Sequence, residues 1–349
     1  MRMEGTAMRR LNRTMLTICL LIVSLFTCPC MRMGQAIPQY SASASLSVEP
    51  PVEIVLHDSP RSKDLRVMAV YPRGKGPYPV IVFSHGWGGK PDAYIHLVTY
   101  WAAHGYVILA PTHADAGDIA RLGTMKDETE DPAAWKNRVR DVTFTADSLD
   151  TVSKLIPDLA GKMDKTWIGA GGHSYGAYVS QLIDGATVDI PDGPRGVSFA
   201  DKRFRSALLL SPQGIGRMGL TESSWDGIHR PMMVMTGSKD RPFGAGVSDH
   251  SRTDPYLHSP AGNKYLAYID GATHLTFCDM AINQETRHPG LRFLRSRTGM
   301  TQTDMYDYVM NRSLAFWDAT LKDSAPARKF LRDEALAAMS GGPIHFSAK

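Results

Sequence analysis

The hydrophobic pattern of the chain alternates between two kinds of segment from residue 51 onward. Short, continuous apolar runs, such as residues 80–84 and 107–111, are typical of strands that are covered on both faces. A longer amphipathic stretch at residues 94–104, which Gly105 follows, is typical of a helix. Strands that alternate with helices predict an α/β protein with a doubly wound, mostly parallel sheet and helices on both faces.

The same pattern predicts the other elements of this region. The predicted strands are residues 52–57, 65–71, 80–84, 107–111, 166–170, 207–211, 232–236 and 265–269. The predicted helices are residues 94–104, 135–156, 175–183, 303–321 and 327–339. We therefore expect residues 51–349 to form a single domain.

Three polar stretches interrupt the alternation, at residues 113–134, 184–205 and 241–262, and they are rich in Gly, Pro and Asp. In a doubly wound sheet, the loops at the carboxyl ends of the strands build the binding site. The three stretches are therefore predicted to be loop insertions that contact a substrate. Ordinary surface loops are the alternative for each of them.

Residues 1–36 have the pattern of an export signal. Arg9, Arg10 and Arg13 precede the apolar run at residues 15–26, which is too short to span a bilayer comfortably. Basic residues, a short apolar run and then small residues predict a secretory signal peptide, and hence a secreted or periplasmic protein. An uncleaved membrane anchor is the alternative. Residues 37–50, rich in Ser, Ala and Pro, are predicted to be a linker or tail.

Removal of this leader changes the charge and the cysteine count. The leader holds five arginines and one glutamate, so the formal net charge of +4 falls to zero without it. A neutral chain without a basic patch does not predict a nucleic-acid partner. Three of the four cysteines also lie in the leader, so the remaining Cys278 has no partner for an internal disulfide.

The pentapeptide GHSYG at residues 172–176 is the strongest chemical signal. It matches G-x-S-x-G and lies between a predicted strand and a predicted helix, which is the context that this motif requires. The turn lifts the hydroxyl of Ser174 above the sheet, and the flanking glycines allow backbone to approach closely. Ser174 is therefore the predicted nucleophile. The alternative is a tight turn in which Ser174 only caps a helix.

A serine nucleophile needs a base and an acid, which in this arrangement follow in the order Ser, Asp or Glu, His. Asp240 and His274 both come just after predicted strands, where the carboxyl ends of a parallel sheet meet. We predict that His274 accepts the proton of Ser174 and that Asp240 fixes the tautomer of His274. Asp270 is the competing acid, but it lies only four residues before His274.

The loop that follows the strand at residues 80–84 is a candidate oxyanion hole. Residues 83–89 read FSHGWGG, in which backbone N–H groups could stabilise negative charge on a substrate oxygen. The first predicted donor is the N–H of Trp87, with Gly86 or Gly88 possible by register. The second predicted donor is the N–H of Tyr175, which follows the nucleophile.

Side chains next to these donors are candidates for the substrate pocket. Trp87, Tyr175 and His85 are the predicted pocket residues, and His85 is also expected to orient the loop that contains it. A polar cluster of His113, Asp115 and Asp118 could bind an ion, but this spacing is weakly specific. We therefore predict no metal and no cofactor.

Taken together, the motifs GHSYG, SHGWGG, GSKD and GATH, in this order, resemble the α/β-hydrolase superfamily over roughly residues 50–320. The chain looks most like secreted dienelactone-hydrolase-like and platelet-activating-factor-acetylhydrolase-like serine esterases. The resemblance implies an α/β-hydrolase fold. Dienelactone hydrolases themselves use cysteine where this chain has Ser174, which favours ordinary carboxylic esters as substrates.

These observations predict a serine esterase that acts on a small-molecule or polymeric ester, without a nucleic-acid partner and without a stable membrane partner. A serine peptidase or amidase, or a lipase or polyester hydrolase, could use the same three side chains. A protein of this fold that only binds a ligand is the remaining hypothesis, and the intact Ser, Asp and His set argues against it.

Overall fold

A computed structural model describes residues 38–43, 45–117, 129–241, 250–280, 282–283, 299–337 and 343–349. The chain divides into two units, Met1–Gln39 and Tyr40–Lys349, of which the second is described below. The predicted signal peptide, residues 1–36, lies outside the described residues. Among the helices of the described residues, none is both long enough and apolar enough to cross a membrane.

Within the described residues, nine strands form one sheet and two short strands form a separate hairpin. The strands are β1 (Val52–Asp58), β2 (Lys63–Val70), β3 (Tyr78–Ser84), β4 (Val107–Pro111), β5 (Met163–His173), β6 (Thr187–Val188), β7 (Val197–Ser198), β8 (Phe204–Leu210), β9 (Met232–Lys239), β10 (Lys264–Thr273) and β11 (Ile344–Ala348). The order in the large sheet is β1-β2-β4-β3-β5-β8-β9-β10-β11, and β6 pairs with β7.

In the large sheet, each of the strands β4, β3, β5, β8, β9 and β10 is parallel to the next one in this order. The edge strands β1, β2 and β11 pair antiparallel. Strands β3 and β4 are buried almost throughout, as their continuous apolar sequences predict, whereas β1 alternates buried and exposed positions. This sheet confirms the predicted mostly parallel α/β architecture.

The helices are α1 (Ile95–Ala103), α2 (Pro132–Asp147), α3 (Leu149–Leu155), α4 (Tyr175–Asp184), α5 (Asp254–His258), α6 (Gln302–Leu321) and α7 (Ala325–Ala337). The long helix predicted for residues 135–156 is therefore two helices. Ser148 separates them, because its φ of −97° and ψ of 10° leave the helical region.

Helices cover both faces of the sheet. Val82 belongs to the same buried cluster as Trp135 of α2, whereas the ring of its neighbour Phe83 packs against Trp101 of α1, with 5.7 Å between ring centroids. Since successive strand residues point to opposite faces, α1 and α2 lie on different sides of the sheet. Helix α4 packs with α2, and α6 packs with α1.

The segment before β1 contacts the domain at several points. Residues Val48 and Pro72 form an isolated antiparallel bridge. The backbone N–H of Tyr40 donates to Asn311, and its hydroxyl donates to Asp318, both on α6. Part of the predicted linker is therefore hydrogen-bonded to the domain.

Candidate active site

Ser174 occupies the turn between β5 and α4. Its φ of 54° and ψ of −117° are strained values for a residue with a side chain, and α4 begins at the next residue. The N–H of Ser174 donates to the carbonyl of Leu210 at the end of β8, at 2.9 Å. The strand, the turn and the helix are those that the motif predicts.

The glycines on either side of Ser174 allow two segments of backbone to come close. A Cβ on Gly172 would lie 2.3 Å from the carbonyl of Gly176, and a Cβ on Gly176 would lie 1.8 Å from the carbonyl oxygen of Ser84. Neither position can accept a methyl group without movement of the backbone. This confirms that the motif requires glycine because of close approach.

The structure brings Ser174, His274 and Asp240 together at the carboxyl edge of the sheet. His274 Nε2 lies 3.0 Å from Ser174 Oγ, and His274 Nδ1 lies 3.0 Å from Asp240 Oδ1. Asp240 follows β9 and His274 follows β10, so neighbouring parallel strands deliver both side chains to one edge. Because a carboxylate only accepts hydrogen bonds, Nδ1 carries the proton and Nε2 is free to accept from the serine.

The carboxylate of Asp240 is buried and well paired. Arg252 Nε lies 2.9 Å from Oδ1, and the hydroxyl of Thr236 donates to Oδ2 at 2.9 Å. Burial alone would raise the pKa of Asp240, but Arg252 and His274 outweigh it and lower this pKa to about 2. The competing acid, Asp270, instead accepts a hydrogen bond from Ser238 at 2.5 Å.

Ser211 also contacts His274, a contact that the sequence analysis missed. Its Oγ lies 2.7 Å from His274 Nδ1, and its backbone has a strained φ of 55°. Ser211 comes directly after β8, at the same edge as the other side chains. Its place at the end of a predicted strand is the signal that could have found it.

The surroundings of His274 favour its neutral, basic form. Burial lowers the pKa of His274 below its ordinary value, Arg252 lowers it further, and the bond to Asp240 opposes both. The imidazole is therefore neutral at pH 7 and able to accept a proton.

A chain of hydrogen bonds joins His274 to the loop that follows β3. His173 Nε2 donates to the carbonyl of His274 at 2.9 Å, so His173 Nδ1 is an acceptor. The hydroxyl of Tyr94 donates to this Nδ1 at 2.8 Å and accepts from the N–H of Gly86 at 3.1 Å. Hydrogen bonds thus connect the 85–89 loop, His173 and His274.

The loop at residues 85–89 lies beside Ser174, and hydrogen bonds from its N–H groups hold it in place. The N–H of Gly86 donates to Tyr94, and the N–H of Gly88 donates to Asp115 Oδ2 at 2.8 Å. Trp87, the first predicted oxyanion donor, lies between these two glycines in the same loop. Tyr175, whose N–H is the second predicted oxyanion donor, occupies the first position of α4.

A cleft of about 220 Å³ opens over Ser174 and His274. Trp87 and Tyr175 line it, as predicted, whereas His85 is not among its described lining residues. His85 is buried instead, and both of its ring nitrogens are bound to backbone, Nδ1 to the carbonyl of Gly86 and Nε2 to the N–H of His113.

The lining of the cleft is mixed. It includes the apolar residues Ala93, Leu275 and Met280 and the polar residues Gln213, Arg217 and Ser251. Of the predicted substrate-contacting loops, residues 113–134 contribute Thr129, and residues 241–262 contribute Ser251 and Arg252. None of the described residues in 184–205 lines the cleft.

The predicted polar cluster of His113, Asp115 and Asp118 is divided among other partners. His113 contacts Ser84 at 2.8 Å and Asp141 at 3.0 Å. Asp115 pairs with an arginine, and Asp118 lies outside the described residues. Within the part of the chain that the structure describes, no group of three or more His, Cys, Asp or Glu side chains is placed to hold a metal ion.

The fold and this edge of the sheet define the class as the α/β-hydrolase fold with a Ser-His-Asp arrangement. A family model described as chlorophyllase matches residues 42–181, a span that includes the 85–89 loop and Ser174. Among solved structures, the chain is similar to a ferulic acid esterase from Streptomyces cinnamoneus, with a TM-score of 0.56 and 18% identity, over 83% of this chain and 93% of that chain. At this identity the likeness shows the fold. No match to this chain was found among the curated proteins.

Proposed function

We propose that this protein is a serine hydrolase that cleaves carboxylic esters through an acyl-enzyme on Ser174. The observation that carries the proposal is the continuous set of contacts from Ser174 through His274 to Asp240, each at 3.0 Å. The names of the matching family model and of the solved structure support an ester as the substrate.

In this mechanism, His274 Nε2 takes the proton of Ser174 as the serine oxygen attacks the ester carbonyl. The N–H groups of Trp87 and Tyr175 stabilise the oxyanion that forms. His274 then gives its proton to the leaving alcohol, and Asp240 stabilises the imidazolium during both transfers. Water that His274 activates finally hydrolyses the acyl-enzyme and releases the acid.

The dimensions of the cleft favour small substrates. Its volume of about 220 Å³ lies below the range of about 300–1,000 Å³ that is usual for sites of drug-sized ligands. The apolar residues among its lining suit a short hydrocarbon group. We therefore expect esters with short acyl chains to be hydrolysed faster than those with long chains.

A panel of nitrophenyl esters of increasing chain length tests the proposal, with wild type and Ser174→Ala assayed side by side. Wild type should hydrolyse the short esters, and the variant should lose at least about 10⁴-fold in kcat, because no other group can form the acyl-enzyme. Ser153→Ala is the matched control, since this helical serine donates only to the carbonyl of Leu149.

Equal turnover by wild type and Ser174→Ala would reject the proposal. Faster turnover of matched amide substrates than of esters would favour a peptidase or amidase. Failure of a phosphonate probe to label wild type would favour a protein that only binds its ligand.

We also propose that the protein is exported, to the periplasm or to the medium. The basic and apolar pattern of residues 1–36 supports this proposal. Amino-terminal sequencing of the protein recovered from the periplasm or the medium should find the leader removed. An intact leader on protein in the membrane fraction would favour a membrane anchor instead.

A further inference from the structure

Arg138 on α2 is a buried arginine that contacts both parts of the predicted oxyanion hole. It is 3% exposed and pairs with Asp115, donating from Nε at 3.0 Å and from Nη2 at 2.6 Å. Its Nη1 donates to the carbonyl of His85 at 2.7 Å, and its Nη2 lies 3.3 Å from the carbonyl oxygen of Gly86. The planar fork of a guanidinium suits several acceptors at once.

These contacts act on the peptide between Gly86 and Trp87. The carbonyl of Gly86 also accepts from His85 Nδ1 at 2.7 Å and from the N–H of Gly89 at 3.2 Å, so it is fixed towards Arg138. In a trans peptide, the carbonyl and the following N–H point in opposite directions. The N–H of Trp87 is therefore turned away from Arg138.

The peptide that carries this N–H borders the cleft. Gly86 and Trp87 both line the cleft together with Ser174. A Cβ placed on Gly86 would lie 3.5 Å from Ser174 Cβ, so the peptide is adjacent to the nucleophile. Asp115 fixes the other flank of Trp87, because it accepts the N–H of Gly88 at 2.8 Å.

Arg138 also contacts the residue that carries the second donor. Its guanidinium carbon lies 4.2 Å from the centre of the Tyr175 ring, a cation–π geometry. Tyr175 is 3% exposed and begins α4. A single side chain from α2 thus contacts the loop after β3 and the turn after β5, which belong to different segments of the chain.

We propose that Arg138, held by Asp115, is a positioning residue that keeps the N–H groups of Trp87 and Tyr175 directed at the oxyanion. This role rests on the proposed ester hydrolysis. Arg138 touches no substrate atom in it and acts through the backbone that it binds. Without the guanidinium, the carbonyl of Gly86 keeps only its contacts with His85 and Gly89, and the carbonyl of His85 loses its partner on Arg138. The Gly86–Trp87 peptide is then held less firmly, which weakens a hydrogen bond in the transition state.

The test compares an oxygen ester with its thiono analogue, in which sulfur replaces the carbonyl oxygen. Sulfur is a weak hydrogen-bond acceptor, so a well-directed oxyanion hole favours the oxygen ester. In wild type, the ratio of kcat/KM for the two substrates should greatly exceed the ratio for their hydrolysis by hydroxide. In Arg138→Met, kcat for the oxygen ester should fall by about 10- to 100-fold, and the ratio should fall towards that of hydroxide.

Arg230→Met is the matched control. Arg230 also pairs with a carboxylate, Asp184, at 3.1 Å, and it donates to four backbone carbonyls, but none of them belongs to the 85–89 loop or to Tyr175. Its loss should lower the melting temperature and leave the substrate ratio unchanged. A substrate ratio that changed as much in this control as in Arg138→Met would overturn the proposed role.

Arg138→Lys keeps the charge beside Asp115 but cannot hold both carbonyls with one planar fork. It is the deciding variant if Arg138→Met does not fold, and its ratio should also fall. A folded Arg138→Met or Arg138→Lys with the wild-type ratio overturns the positioning role alone. A wild type that hydrolyses neither substrate through Ser174 overturns the proposed function, and the positioning role with it.

Discussion

At the scale of single residues, His274 Nδ1 has two oxygen neighbours rather than one. Asp240 Oδ1 lies at 3.0 Å and Ser211 Oγ at 2.7 Å. The carboxylate supplies charge, and the hydroxyl supplies a second acceptor within the same small space. Both restrict the rotation of the imidazole, so its Nε2 stays directed at Ser174.

Ser211→Ala should lower kcat and leave KM little changed. The hydroxyl contacts the imidazole but does not line the cleft within the described residues, so its loss weakens the transition state more than substrate binding. A hydrogen bond of this kind is worth about 1–2 kcal/mol, or about 10-fold in rate. Steady-state kinetics on a short nitrophenyl ester measure the change.

Ser206→Ala is the control for this prediction. Ser206 is a buried serine on β8, the strand that leads to Ser211, and its hydroxyl contacts Thr320 at 3.0 Å rather than the imidazole. It should keep the wild-type kcat. If Ser211→Ala keeps the wild-type kcat, the hydroxyl of Ser211 does not help to orient His274.

At the scale of elements, the site depends on how closely α4 approaches β3. Helix α4 starts one residue after the nucleophile, and the carbonyl oxygen of Ser84 lies where a Cβ on Gly176 would be. The first turn of the helix therefore sets the position of the 85–89 loop as well as that of Ser174. A change in this contact acts on the nucleophile and on the oxyanion donors together.

Gly176→Ala should both destabilise the fold and abolish activity. The added methyl group would lie 1.8 Å from the carbonyl oxygen of Ser84, so backbone must move. Overpacking of this kind costs about 1–3 kcal/mol or more. Thermal unfolding and ester hydrolysis measure the two effects.

Gly227→Ala is the corresponding control, because its new methyl group would have its nearest neighbour at 3.7 Å. It should change the free energy of unfolding by no more than about 0.5 kcal/mol. If Gly176→Ala has the melting temperature and the ester turnover of wild type, α4 does not approach Ser84 as closely as described.

Much of this arrangement could be predicted from the sequence because strand ends and motifs are local signals. The spacing of apolar residues placed β3, β4 and β5, and the order of motifs brought Ser174 and His274 to one edge. Strand β11 was missed, since its five residues are only half buried and pair antiparallel at the edge.

Contacts that join distant segments could not be predicted in the same way. Arg138 has no motif around it, and its role depends on the side of α2 that faces the 85–89 loop. The break at Ser148 also left no clear signal, because a single residue outside the helical region does not disturb the apolar pattern. Both features require the packing of elements in three dimensions.

At the scale of the whole molecule, several buried histidines link stability to pH. Burial lowers the pKa of His85, His113 and His173, since a charged imidazole would lose its hydration. At a pH below the ordinary histidine pKa of about 6.5, the unfolded chain binds protons at these imidazoles and the folded chain does not. The free energy of unfolding must then fall as pH falls.

Two buried carboxyl groups oppose this trend. Burial raises the pKa of Asp184 to about 6 and also raises that of Glu334, so the folded chain binds protons there that the unfolded chain releases. The pKa values of Asp254 and Asp307 are raised as well, and that of His274 is lowered like those of the other three histidines. The histidines dominate between pH 7 and pH 5, because the ordinary pKa of imidazole, about 6.5, lies within this range and those of Asp and Glu lie below it. Each histidine adds a slope of up to about 1.4 kcal/mol per pH unit.

We therefore expect the melting temperature to fall between pH 7 and pH 5. Calorimetry in buffers of constant ionic strength measures it, with pH 8 as the reference. A melting temperature that rises or stays level from pH 7 to pH 5 would contradict the neutral, buried state of these histidines.

Strand β11 covers the outer edge of β10, the strand that leads to His274. Its backbone pairs along Tyr265–Ile269, and Lys349 exchanges further hydrogen bonds with Lys264. A truncation that removes these last residues would leave β10 with unpaired N–H and C=O groups that can recruit another chain. Any shortened form of the protein should therefore keep residues 344–349, so that the edge of β10 stays covered.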